Sequence, residues 1–231
     1  MNKKIIYGTA KLSNPKYGHG SKYKINPRFI RNLNIFISNN KKIKSYEIAT
    51  RYKNSIKYSL KVKNKEIHYK IDKIPKNNKK IEKYIDATIN KYLLKSNRKI
   101  IDIFYIHSEN LETISNPFIF KVLKKNLKLK KIRNVGVSIY KLEELKYALK
   151  SKIINAIQIP INVGDSYLYS KIPKNSKKII VARSVYLQGT LVNQIKKHPY
   201  KKEILKLKKK IYYIFNNDKL EYFKTVTSFP F

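Results

Sequence analysis

Cysteine is absent from the 231 residues. That excludes disulfide bonds, thiolate nucleophiles and Cys-ligated metals. Glycine is scarce, at 6 residues, and no G-x-G-x-x-G follows the first apolar run. A Rossmann dinucleotide unit would therefore lack its phosphate turn. No apolar stretch approaches the roughly 18 residues of a membrane span. The opening Met-Asn-Lys-Lys-Ile-Ile-Tyr-Gly is followed by too brief an apolar run for a signal peptide, so a cytoplasmic location is expected. There is no Pro-, Gly- or Ser-rich linker, and one domain over residues 1–231 is expected. No group of residues has metal-ligand spacing, and none forms a Ser-His-Asp pattern.

Acidic residues are also few. There are 14 Asp and Glu against 53 Lys and Arg, for a net charge of +39. A surface of that sign attracts polyanions by counterion release. The kind of base argues against a selected nucleic-acid site. Six of the 53 are Arg (28, 31, 51, 98, 133 and 183), leaving 47 Lys, and base or phosphate readout favours the planar fork of Arg. Lys, Ile, Asn and Tyr are inflated together, as A/T-rich codons would produce without any function. Non-specific nucleic-acid binding is expected either way.

Hydrophobic residues make up 42% of the chain, enough for a core. Short β-rich runs are expected as strands at 4–10, 43–49, 66–71, 100–107, 134–138, 156–160 and 178–182. Between them lie amphipathic stretches at 27–38, 54–62, 78–96, 115–128, 141–150 and 199–215. Asn26 and Pro27 supply an N-cap and a first-turn proline. Ile81, Ile85, Ile89 and Leu93 form one helical stripe. Residues 17–24 read as a polar loop. Strand then helix, repeated about seven times, predicts an α/β fold with a parallel sheet, and the missing glycine turn favours a closed TIM-like (β/α) barrel.

In such a barrel chemistry sits at the C-terminal strand ends. The second strand runs through Glu47 to Thr50-Arg51-Tyr52, the third ends near His68-Tyr69-Lys70, and the fourth ends at His107. The fifth ends at Ser138, the sixth carries Gln158, and the seventh ends at Arg183-Ser184. A carboxylate, a phenol, a Lys and a His at neighbouring strand ends suit proton transfer, because Lys⁺ favours phenolate and His can bond the same substrate oxygen.

These segments resemble the aldo-keto reductases. The stretch from Glu47 to Ser55 is similar to their D-T-A-x-x-Y-G-x-S, Tyr69-Lys70-Ile71 to T-K-[IVL], and Ile101 to His107 to [IL]-D followed by apolar residues and His. Ile132-Arg133-Asn134-Val135-Gly136-Val137-Ser138 resembles I-R-x-[IVL]-G-[VL]-S, and Gln158 to Asn162 resembles Q-x-x-[YF]-N. Arg183-Ser184-Val185-Tyr186-Leu187-Gln188-Gly189 is similar to the R-S-V-[FY]-L-Q-G of a bacterial branch. The resemblance implies NADPH-dependent reduction of a small aldehyde or ketone, sugar-derived among the options. It implies Tyr52 as general acid, Lys70 lowering the Tyr52 pKa, Glu47 pairing with Lys70, and His107 orienting the carbonyl. Ser138 and Gln158 would hold the nicotinamide carboxamide, with Arg183 and Ser184 near the nicotinamide and pyrophosphate.

The sequence departs from the pattern at Glu47 (Asp in the family), Lys53 (Gly) and Ile139 (Asn). The chain ends at Phe231 where the family continues, so about seven of eight β/α units are expected, with the last strand and part of the cofactor grip missing. Two alternatives stay open: a catalytically inactive or truncated scaffold, and a polyanion binder using the Lys-rich surface. Asp102 is expected to be structural, Gly136 and Gly189 to serve packing or turns, and His68 and His198 to have no evident partner.

Overall fold

The computed structural model describes residues 4–13, 25–52, 54–107, 110–162, 164–187, 190 and 200–214. Lys53, Gly189, His198, the loop 17–24 and the terminal residues 227–231 lie outside them. Seven strands are formed: β1 Ile5–Gly8, β2 Ile43–Ala49, β3 Glu66–Ile71, β4 Ile101–His107, β5 Ile132–Ser138, β6 Ile154–Pro160 and β7 Ile179–Arg183. All neighbouring pairs are parallel, and the order in the sheet is the order in the chain. This is the expected partial (β/α) barrel. Among the described residues the ladder runs from β1 to β7 without a β1–β7 pairing.

The helices are α1 Ala10–Ser13, α2 Pro27–Asn39, α3 Ser55–Ser59, α4 Asn78–Ser96, α5 Leu111–Ser115, α6 Pro117–Lys128, α7 Leu142–Lys150, α8 Tyr167–Ser170 and α9 Lys201–Ile214. Two of them start on the same dipeptide. Asn26 accepts from the Phe29 amide with Pro27 at the first turn, and Asn116 accepts from Phe118 and Ile119 with Pro117 behind it. The Asn oxygen satisfies amides that have no intrahelical partner, while Pro presets φ and needs no donor. Asn116 and Pro117 thereby start α6 two residues later than the expected 115–128 helix, and the short α5 before it was not expected. At the other end of α4, Asn97 adopts the left-handed conformation (φ 50°) and its amide closes onto Leu93 and Leu94. The first strand is shorter than expected, because Thr9 turns its hydroxyl to the Glu47 carbonyl (2.8 Å) and α1 begins at Ala10.

Strand residues alternate between two cores, as the period of two requires. The outer core lies between sheet and helices and takes Tyr46 and Ile48, Ile67, Tyr69 and Ile71, Phe104 and Ile106, Val135 and Val137, and Ile157 and Ile159. On the helix side it takes Ile81, Ile85, Ile89 and Tyr92 from α4. The inner core is small: Ile103, Tyr105, Ala156 and Val181, with Ile6 packed against it. Gly136 lies beneath the Tyr105 ring, where a Cβ would overlap the ring carbons. Its glycine is required by that close approach rather than by its backbone angle.

The same alternation puts the next residues along each strand on the inner face. Glu47 follows Ser45, Lys70 follows His68, and His107 follows Ile103 and Tyr105. Ser138 follows Gly136, Gln158 follows Ala156, and Arg183 follows Val181. Curvature then brings them together. In a flat sheet β2 and β6 would lie about 19 Å apart, four spacings of about 4.8 Å. The Gln158 amide nevertheless bonds Glu47 directly, so the sheet curls round on its inner face.

Candidate active site

Lys70 is buried, with 3% of its surface exposed. Its ammonium donates to Gln158 Oε1 at 2.7 Å and pairs with Glu47 Oε1 at 3.4 Å. Gln158 closes the triangle by donating from Nε2 to Glu47 Oε2. Three buried residues from three strands thus satisfy one another. Burial pulls the Lys70 pKa down, and the Glu47 charge counters only part of that. Burial alone would raise Glu47, but Lys70 and the Gln158 hydrogen bond outweigh it and hold the carboxyl below its usual range.

Tyr52 lies three residues beyond the end of β2, in a turn closed by its own amide on the Ala49 carbonyl (3.0 Å) and by the Ser55 amide on its carbonyl (3.1 Å). Lys70 Nζ stands 5.9 Å from the centre of the Tyr52 ring. Beside it, Arg51 Nε pairs with Asp72 Oδ2 at 2.6 Å, and Thr50 Oγ1 bonds the other carboxylate oxygen at 2.5 Å. Asp72 was not among the residues the sequence pointed to. Its position one residue past β3, beside the turn that carries Tyr52, makes it the anchor of that turn.

His107 ends β4 on the inner face, level with Ser138 of β5, which is level with Gln158 of β6. Its Nε2 lies 3.1 Å from the Tyr140 hydroxyl, and its Nδ1 is buried without a hydrogen-bond partner. Burial, followed by the charges of Lys70, Arg51 and Arg183, holds its pKa at about 4. The imidazole is therefore neutral at pH 7, with one donor and one acceptor nitrogen.

Tyr140 is a second residue that sequence reasoning missed. Glu144, in the first turn of α7, accepts from the Tyr140 and Lys141 amides at 2.8 and 3.0 Å, which fixes the backbone after β5. The Arg183 guanidinium carbon lies 4.0 Å from the Tyr140 ring centre, and Arg183 Nη2 donates to the Ile139 carbonyl at 3.1 Å. Ser184 follows in the left-handed region, at φ 57°, with its Oγ 3.4 Å from Arg183 Nη1. The one clue to Tyr140 in the sequence was its place two residues after Ser138.

The structure therefore brings Glu47, Lys70, Gln158, Tyr52, His107, Ser138 and Arg183 to one end of the sheet. Gln158 was expected at the cofactor, but both ends of its amide are engaged by Lys70 and Glu47. Among the remaining donors, Ser138 Oγ is fully buried with no hydrogen-bond partner, and Arg183 Nε is likewise unpartnered. Such orphaned polar atoms fit a polar ligand such as a carboxamide. His68, lower on the inner face, does have a neighbour: its Nδ1 is 3.5 Å from the Tyr105 hydroxyl. Asp102 is structural, accepting from the Ile67 amide at 2.8 Å and pairing with Arg133 at 2.8 Å. Among the described residues no cluster could hold a metal ion, and no helix is long and apolar enough to cross a membrane.

No family model matches the sequence, and no curated protein does. Solved structures do match in fold. A Pseudomonas aeruginosa protein assigned to the aldo-keto reductases superposes with a TM-score of 0.62 at 14% identity, over 78% of this chain and 72% of that one. The glycerol dehydrogenase of Gluconobacter oxydans matches with a TM-score of 0.62 at 15% identity, over 85% and 66%. An aldo-keto reductase of Klebsiella pneumoniae, solved with NADPH, matches with 0.58 at 12%, over 80% and 65%. The chain thus spans just under two thirds of the latter two. With its seven parallel strands in chain order and its inner-face polar cluster, this chain has the (β/α)-barrel fold of the aldo-keto reductases.

Proposed function

We propose that the chain is an oxidoreductase that reduces an aldehyde or ketone with NADPH, using Tyr52 as the proton donor. The observation that supports this most is the buried Glu47–Lys70–Gln158 cluster, with the Lys70 ammonium beside the Tyr52 ring and neutral His107 on the same rim. A cation held next to a phenol stabilises the phenolate, so the proton is released more readily as negative charge gathers on the carbonyl oxygen. Glu47 and Gln158 keep that ammonium in place. A neutral His107 can donate one hydrogen bond to the same oxygen, at the position where the Tyr140 hydroxyl now sits.

The nicotinamide would supply the hydride, and the protein supplies position and electrostatics. Ser138 is the residue best placed for the carboxamide, and Ser184, at the end of β7, for the neighbouring part of the cofactor. The test is Tyr52→Phe. Turnover of NADPH with a carbonyl substrate should be lost while the circular dichroism spectrum stays that of the wild type. Retained turnover removes Tyr52 from this role.

A second reading has one observation in its favour. A groove of about 1050 Å³ between α6 and α7 is lined by Lys121, Lys124, Lys128 and Lys152 over a floor of Phe120, Leu127 and Tyr147. That suits non-specific contact with polyanions. RNA affinity that falls steeply with salt, and falls when these four lysines are neutralised, would support it.

A further inference from the structure

Lys70, Arg51 and Arg183 stand at this end of the sheet, beside Tyr52, Asp72 and Tyr140 respectively, and two of the three are already matched. Lys70 has Glu47, and Arg51 has Asp72. Arg183 has no carboxylate among the described residues. One of its N–H groups goes to the Ile139 carbonyl, another makes a long contact with Ser184 Oγ, and its Nε–H has no acceptor. With His107 neutral, the mouth carries three positive charges against two negative ones. The guanidinium is also oriented: it stacks on Tyr140, whose backbone amide is held by Glu144. A planar cation that is partly buried, oriented and unmatched is a receptor for an oxyanion, because Arg offers its donors in a fork of fixed geometry.

We propose that Arg183 receives an acid group, a carboxylate or a phosphate, on the compound that enters this mouth. Taken with the reductase reading, on which this part rests, the substrate is an acidic carbonyl compound whose acid group lies a few atoms from its carbonyl. Tyr140 is the positioning residue that sets the plane of the guanidinium. The same oxyanion chemistry could come from the pyrophosphate of the cofactor, and the experiment separates the two sources.

The first arm is independent of turnover. The chain has six Arg, so six Nε–H resonances are expected in a nitrogen–proton correlation spectrum, and Arg183→Gln identifies its own by deletion. Succinate and inorganic phosphate are titrated into the wild type at about 0.15 M salt, where contacts between exposed charges are screened. The Arg183 Nε–H signal should move saturably while the other five stay within the drift seen with added chloride. An Arg183 signal that stays put with both anions overturns the proposal.

The second arm uses substrate pairs that differ only in the acid group: succinic semialdehyde against butanal, and glyceraldehyde 3-phosphate against glyceraldehyde. The wild type should favour the acidic member of at least one pair. Arg183→Gln should lower the acid-to-neutral ratio of kcat/KM by about 10- to 100-fold, the range for a hydrogen bond to a charged group, whatever it does to both members through the cofactor. Arg183→Lys should fall between, keeping the charge without the fork. If Arg183→Gln instead weakens NADPH binding and leaves the acid-to-neutral ratio unchanged, Arg183 serves the cofactor and the proposal falls. Absence of turnover on every pair, with the Arg183 signal still moving, sinks the reductase reading while the oxyanion site stands.

Discussion

Replacing Lys70 by Met tests the buried cluster most sharply. The change keeps much of the side-chain volume and removes the charge, leaving the Glu47 carboxylate in the barrel with the Gln158 amide as its hydrogen-bond donor. Breaking a buried pair by removing one partner costs about 3–5 kcal/mol, because an uncompensated charge stays behind. Both groups here are almost fully buried, at 3% and 8% exposure, so solvent screening offers little relief. Glu47→Gln with Lys70→Met removes both charges and keeps an amide that can bond Gln158, so the double variant should be more stable than Lys70→Met alone. Urea unfolding of the four proteins gives the cycle, and the coupling should exceed about 2 kcal/mol. The pH dependence has a definite sign. In Lys70→Met the Glu47 pKa rises above its unfolded value, so the deficit is largest near neutrality and shrinks as pH falls toward about 4. A single variant within about 1 kcal/mol of wild type, or single effects that simply add, would refute the cluster as a buried, charge-paired unit.

Three further outcomes follow from the same structure. Gly136→Ala should destabilise by about 1–3 kcal/mol in chemical unfolding, because its methyl group would overlap the buried Tyr105 ring. Asn116→Ala should cost about 1 kcal/mol by removing the cap of α6, and Asn116→Asp should restore most of it. His107 is held at about 4 in the fold against 6.5 in the unfolded chain. The unfolded state therefore binds the proton more readily between those values, and stability should fall as pH drops through that window. The contribution is about 2 kcal/mol, scaled down from the full pKa difference because the ring is partly solvated. His107→Gln should flatten that part of the stability profile.

Much of the barrel was legible because strand parity is written locally. In Ile101-Asp102-Ile103-Phe104-Tyr105-Ile106-His107 the alternation alone puts His107 on the face opposite Phe104 and Ile106, and the order of strand and helix implies parallel neighbours. Two of the boundaries that differ were set by single side chains, whereas β5 and β6 each start two residues earlier than their apolar runs suggested. Asn116 and Pro117 set the start of α6 two residues into the expected helix, and Thr9 ends β1 early by bonding the Glu47 carbonyl. The candidate site divided in the same way. Lys70, His107 and Ser138 stand at strand ends, where a pattern can find them. The link between Gln158 and Glu47 depends on the curl of the sheet across four strand spacings, which no local pattern encodes. Tyr140 depends on a loop held by Glu144 and on the reach of Arg183 from β7, and both are tertiary facts.

Transfer of deuterium is the most direct measure of the chemistry assigned to this mouth. NADPH labelled at its transferable ring position is incubated with the purified chain and a carbonyl compound, and the alcohol is analysed by mass spectrometry. One deuterium on the former carbonyl carbon is expected from the wild type, with the yield lost in Tyr52→Phe. Unlabelled alcohol, or no alcohol from any acidic or neutral carbonyl offered, would contradict it.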